Sequence, residues 1–220
     1  MDSVDHQYIG RFTIIPVYEQ HEQEVTNSDK ISKTMGVLNK LKHFIPLNAR
    51  IMIYNSLILS HLNYCILAWG YRCERIIKLQ KRIIRVLSIS KYNAHTEPIF
   101  KRLRLLKVND ILKLQELKFH YKYENNLLPY YLQNLLSKPN IHSHATRSQN
   151  IIHQWRPMHV YAKKCIRYNI PNTVNSTPTN IIEKIFTHSM QGFSKYVKHN
   201  ILQSYHENCT IYDCYICSRS

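Results

Sequence analysis

The 220-residue sequence is short of glycine and short of acids. Its four glycines, Gly10, Gly36, Gly70 and Gly192, build neither GxGxxG nor GxxxxGK, which excludes an enzyme that cradles phosphate in a glycine-rich loop. Fourteen Asp and Glu face thirty Lys and Arg, a net charge of +16, so acidic partners fit better than basic ones. A membrane-length apolar run is also missing. Ile51 to Tyr71 carries no Lys, Arg, Asp or Glu, but Asn55, Ser56, Ser60, His61 and Asn63 interrupt it. Five polar groups in hydrocarbon are costly, so the stretch reads as a buried core helix and no membrane partner is expected. The first fifteen residues mix acids with apolar groups and show no signal-peptide pattern. The expected compartment is intracellular, nuclear or cytoplasmic, where the six cysteines are thiols or ligands before they are disulfides.

Against these absences, 44% of the residues are hydrophobic, enough for a packed core and too many for a disordered chain. The charge is divided unevenly. Residues 1–29 hold six acids and one base and sum to −5; residues 30–220 hold 29 bases and eight acids and sum to +21. Lys30 to Cys73 and Asn125 to Ile182 contain no acid. Self-repulsion on this scale suits a chain that lies against polyphosphate or another anionic surface.

Apolar periodicity predicts helices. The first is expected over about Ser28 to Phe44, capped by Ser28 or Asp29, with Ile31, Met35, Leu38 and Leu41 in one stripe. After Pro46 a second is expected to run to Gly70, with Ile51, Tyr54, Leu57, Ile58, Leu62, Cys65 and Trp69 inward. A third over Glu74 to Ser88 buries Ile76, Leu79, Ile83, Val86 and Leu87 and presents Arg75, Lys78, Arg82 and Arg85 in one row, with Lys81 beside them. Like charges one turn apart destabilise a free helix. Two readings of the row stay open: solvation by water and Glu74, or neutralisation by nucleic acid. Further helices are predicted over Glu97 to Leu103 and from Asn109 or Asp110 to Glu124, with a turn from Pro129 to Leu136 and a last helix over Gln191 to Tyr205. Pro171 is expected to close a short segment ahead of a TVNSTPTN turn. Convincing strand alternation is confined to the first seventeen residues, so the expected class is all-α: a helical bundle with a smaller helical C-terminal module.

The middle of the chain carries a resemblance. KISKTMGVLNKLKHFIP, RIMIYNSLILSHLNYCILAWG, IIKLQKRIIRVLS, AHTEPIFKRLRLLKV and the later FSKYVKHNIL resemble the region after the polymerase palm in jockey-like non-LTR retrotransposon reverse transcriptases. The most specific pieces are Tyr54-Asn55-Ser56-Leu57, the block ending in Trp69-Gly70, and Leu79-Gln80-Lys81-Arg82 with Ile84-Arg85. The family's Trp-Asn-x-Leu-Pro turn is matched loosely by Val174-Asn175-Ser176-Thr177-Pro178. The likeness covers about residues 30–218. It implies a thumb and C-terminal extension of an RNA-directed DNA polymerase, gripping a template–primer duplex through its backbone, with RNA or an RNA–DNA duplex as partner. Arg75, Lys78, Lys81, Arg82 and Arg85 are then the nucleic-acid-binding residues. On this reading residues 1–29 form an acidic leader without a match, 30–136 a thumb-like bundle, 137–158 a basic linker, and 159–220 a C-terminal module with a Cys-rich tail.

Polymerisation needs two metal ions held by carboxylates. The family keeps them in a Tyr/Phe-x-Asp-Asp turn of the palm. Here the five aspartates, Asp2, Asp5, Asp29, Asp110 and Asp213, include no adjacent pair. No catalytic residue is assigned, and magnesium belongs only to a full-length parent enzyme. The chain is expected to be a truncated or degraded element, or a mis-joined product with a foreign first segment. A helical protein-interaction module and a remnant without function are the alternatives. In the tail, His206, Cys209, Cys214 and Cys217 give H-x2-C-x4-C-x2-C, a set that fits one tetrahedral zinc, although three ordinary tail thiols would show the same letters.

Overall fold

The buried stripe expected to start at Ile31 continues backwards through polar residues, and the first helix continues with it. A computed structural model describes residues 17–71, 73–137, 152–156, 158 and 163–207. Helix α1 runs Val17–Leu41. Glu24 and Asn27 are buried on the face that also buries Ile31 and Leu38. Those two polar residues are invisible to an apolar pattern, so Ser28 and Asp29 stand inside the helix and not at its cap. Residues 17–29 are therefore joined to the basic body by one helix.

The expected single helix from Pro46 to Gly70 is broken into pieces. Helix α2 spans Leu47–Ile53, a π-helical turn takes Tyr54–Ile58, α3 covers Leu59–Asn63 and α4 covers Ile66–Trp69. The reason is register. Tyr54, Ile58, Leu62 and Ile66 are buried at strict four-residue intervals. In a straight α-helix such a row drifts by about 40° per step. The wider π turn offsets part of that drift. The rest is taken up at Tyr64 and Cys65, where Tyr64 is extended and Cys65 adopts left-handed φ 48°. The buried Trp69 holds the break, its indole N–H donating to the Tyr64 carbonyl at 2.7 Å. Leu57 and Cys65, expected inward, are exposed as a result.

Helices α5 (Glu74–Ser88), α6 (Glu97–Leu103) and α7 (Val108–Glu124) follow the predicted spans closely. Val86 is half-buried and Ile84 takes the core place beside Ile83. The scarcity of glycine shows at their ends. Ile89, Arg104 and Asn126 each take the left-handed conformation that a Schellman turn requires, at φ 52°, 53° and 54°. The closing bonds are Ser90 N–H to Arg85, Leu105 N–H to Phe100 and Leu127 N–H to Lys122. Further on come α8 (Tyr130–Gln133), α9 (Ile166–Ser176), α10 (Thr179–Ile182), α11 (Lys184–Thr187) and α12 (Met190–Gln203). Pro171 does not end a segment. It lies inside α9, buried with Ile170 and Val174, so apolar packing offsets the lost backbone bond. Among the described residues there is no strand, and the fold is all-α.

The chain divides into two compact units. One holds His21–Ile111 with residues 198–207; the other holds Leu112–Val197 with residues 17–20. The divisions fall inside α1, α7 and α12. In the first unit a single amide ties three elements together. Gln80, 2% exposed on α5, donates from Nε2 to the Tyr54 hydroxyl and the Leu106 carbonyl, both at 2.9 Å. Its Oε1 accepts the Val108 N–H at 3.0 Å and so satisfies a free donor at the start of α7. Burial raises the Tyr54 hydroxyl to about 12, and the bond from Gln80 opposes that shift. Arg50, also buried, donates to the Leu87 carbonyl in the last turn of α5, where a cation complements the helix dipole. In the second unit Tyr121 donates to the His188 carbonyl at 2.9 Å and its ring meets Phe193 at 5.4 Å, while Thr173 bonds the buried Glu116 at 2.6 Å.

Replacing Gln80 by Ala leaves the Val108 N–H, the Leu106 carbonyl and the Tyr54 hydroxyl without this partner in a dry site. The expected loss is about 3 kcal/mol, read from urea unfolding. A change below about 0.5 kcal/mol would show that the amide does not hold these elements.

Candidate nucleic-acid interface

Helix α5 turns one strongly apolar face to the core, burying Ile76, Leu79, Gln80, Ile83, Ile84 and Leu87. The helical period then leaves Arg75, Lys78, Lys81 and Arg82 facing water, and all four are exposed. Ten residues separate Arg75 from Arg85, so the row extends about 15 Å along the helix. Among the described residues, none of the four exposed cations lies within salt-bridge distance of an acid; the ion pairs there are Lys107–Glu97 and Lys101–Glu207.

Arg85 differs from its neighbours. It is half-buried, and its Nε donates to the Ala94 carbonyl at 2.8 Å, which ties the turn after α5 back onto the helix. Burial first, and the Arg82 charge second, lower its guanidinium pKa. Arg85 therefore serves as a tether at the end of the row, where the sequence reading made it a fifth solvent-facing cation. The four exposed cations carry no other visible partner among the described residues. Their spacing suits phosphate contacts, which fix position without reading bases.

A second cluster closes the same unit and went unnoticed in the sequence. The Tyr205 hydroxyl donates to the Asp110 carboxylate and accepts the Lys107 N–H at 3.1 Å. Lys107 Nζ lies 4.4 Å from the Tyr205 ring centroid and 2.8 Å from Glu97 Oε1. Burial, then the bond to Asp110, raises the Tyr205 pKa; the bond from Lys107 lowers that of Glu97. Asp110, expected as a possible cap, is thus the acceptor for an aromatic ninety-five positions away. No local pattern links the two residues. Lys101 meets Glu207 at 3.3 Å, so residues 205–207 are held against the α6–α7 corner.

His206 of the proposed zinc set is exposed. Cys209, Cys214 and Cys217 lie outside the described residues. Among the described residues no three His, Cys, Asp or Glu stand close enough to hold a metal. Cys73 is buried beside Asn109, and burial, with the charges of Glu24 and Glu74, pushes its thiol up to about 11. Cys65 is exposed and Cys165 half-buried. No described helix is long and apolar enough to cross a membrane. No protein-family model, curated protein or solved structure matches the chain.

A carboxylate with a lowered folded-state pKa contributes stability above its unfolded pKa, about 4.3 for Glu, and that contribution is lost as pH falls through the folded value. Glu97→Gln is expected to flatten the acid side of the stability profile below that range, measured as urea midpoints across pH. An unchanged acid slope would remove Glu97 from the cluster's energetics.

Proposed function

We propose that this chain is a fragment of a non-LTR retrotransposon RNA-directed DNA polymerase that contacts the template–primer backbone, without the catalytic palm. The observation that carries the reading is the α5 row: Arg75, Lys78, Lys81 and Arg82 exposed, and unpaired among the described residues, on a helix whose opposite face is fully used by the core. A helix with this much like charge is relieved by an anionic partner. A duplex backbone supplies phosphates at regular spacing. The resemblance of residues 30–130 to a reverse transcriptase thumb supports the same role. In this chain the residues position a duplex and do no chemistry on it.

Four phosphate contacts give a salt slope of roughly −3.6, a loss of about 100-fold in affinity for an RNA–DNA duplex between 50 and 200 mM salt. Reversing the four exposed cations to Glu should remove most of that slope and weaken every sequence alike. A flat salt dependence of the unaltered chain, read by anisotropy of a labelled duplex, defeats the proposal.

A second reading, a helical module that binds protein, draws on Val37, Leu41, Phe44, Leu47 and Met52, all exposed, with Phe44 at 84%. Its partner would bind without the steep salt loss. The tail adds a zinc ion in the first reading, with the exposed His206 as one ligand and Cys209, Cys214 and Cys217 as the others. Purification under reducing conditions is expected to leave about one zinc per chain. A ratio near zero excludes the site.

A further inference from the structure

The unit that holds Leu112–Val197 carries a second basic surface, built around an aromatic ring. Ile152 is buried, and Asn175 of α9 brackets its backbone: the amide oxygen accepts the Ile152 N–H at 3.1 Å, and Nδ2 donates to the Ile152 carbonyl at 3.0 Å. Three residues on, Trp155 is half-buried, and the Arg167 guanidinium carbon lies 5.4 Å from its ring centroid. The short stretch is thereby attached to α9 near both of its ends. Asn169 holds the residues that precede the helix, donating to the Lys163 carbonyl at 2.8 Å and the Cys165 carbonyl at 2.9 Å. Lys163 and Lys164 are thus kept within a turn of Arg167, and Arg156 follows the ring directly in sequence.

Arg156, Lys163 and Arg167 are exposed, and Lys164 is half-buried. The sequence has no acid from Asn125 to Ile182. Among the described residues, none of these four cations lies within salt-bridge distance of an acid; the pairs there involve Lys101 and Lys107. Cations on and next to the segments that carry a half-buried indole, with no acid within salt-bridge distance among the described residues, match the chemistry by which single strands are held. Unpaired bases stack on the ring while the phosphates meet the charges. A duplex hides its base faces, so the ring gives it nothing.

We infer that Trp155, together with Arg156, Lys163, Lys164 and Arg167, is a contact for single-stranded nucleic acid, the indole taking one base and the cations its flanking phosphates. This goes beyond the role given to α5. It uses other residues in the other unit, and either can fail alone.

The 220-residue chain reports on the site by itself. It has two tryptophans, and Trp69 is fully buried with its N–H bonded, so a fluorescence change on adding a thymidine oligomer of about ten nucleotides reports Trp155. Saturable quenching is expected, and Trp155→Ala should weaken binding of a labelled oligomer about tenfold, with Trp155→Phe falling between. Charge reversal on α5 should weaken duplex binding and leave this quenching in place. Three results overturn the inference: unchanged affinity in a folded Trp155→Ala chain, equal quenching by inorganic phosphate alone, or no preference of the unaltered chain's Trp155 signal for single strand over blunt duplex. If the alanine variant fails to fold, the last two measurements and the Phe variant decide it.

Discussion

The side-chain amide of Gln80 is the constraint on which the first unit depends. It sits in a site that water does not reach, and from α5 it meets a hydroxyl in the Tyr54 turn and both a carbonyl and a backbone N–H in the Leu106–Val108 stretch. A buried amide that finds fewer partners is costly, so the three segments have only a narrow range of relative positions in which the core is stable. That restriction sets the rotation of α5 about its axis. With Gln80 inward, Arg75, Lys78, Lys81 and Arg82 must face out. The proposed contact with nucleic acid is in this sense the outer consequence of an inner hydrogen-bond requirement.

The charge follows the same logic on the larger scale. Thirty bases on a chain of this size cannot all be paired with fourteen acids. The acids that are present near the α6–α7 corner are used internally: Glu97 on Lys107, Asp110 on Tyr205, Glu207 on Lys101. Spending them there leaves the α5 row and the Trp155 surface without acid partners among the described residues.

Helix α5 was legible because its apolar period is strong. The π turn was not, because Tyr54, Ile58, Leu62 and Ile66 read equally well as an ordinary amphipathic stripe; only the geometry of the core against Trp69 decides that the helix must widen and break. The start of α1 was missed for a related reason. Its buried face passes through Glu24 and Asn27, and burial of polar groups leaves no hydrophobic signal. Pro171 misled in the opposite direction, since a local helix breaker is tolerated where its ring is packed. In the candidate site the cations were readable as a row, but not that Arg85 spends its Nε on the Ala94 carbonyl.

Gln80 itself marks where the two sources of information divide. From letters alone it belonged to a Leu-Gln-Lys-Arg run whose polar members looked alike, and the tail cysteines, the lack of paired aspartates and the excess of bases were all visible without a fold. Composition and helical period determine an all-α, basic chain with a cationic helix face, because both depend on neighbours a few positions apart. Which polar residues turn inward depends on partners twenty-six and twenty-eight positions away for Gln80, and ninety-five away for Asp110 and Tyr205. Hydrogen-bond satisfaction in a dry interior is a property of the assembled core, and only the tertiary structure decides it.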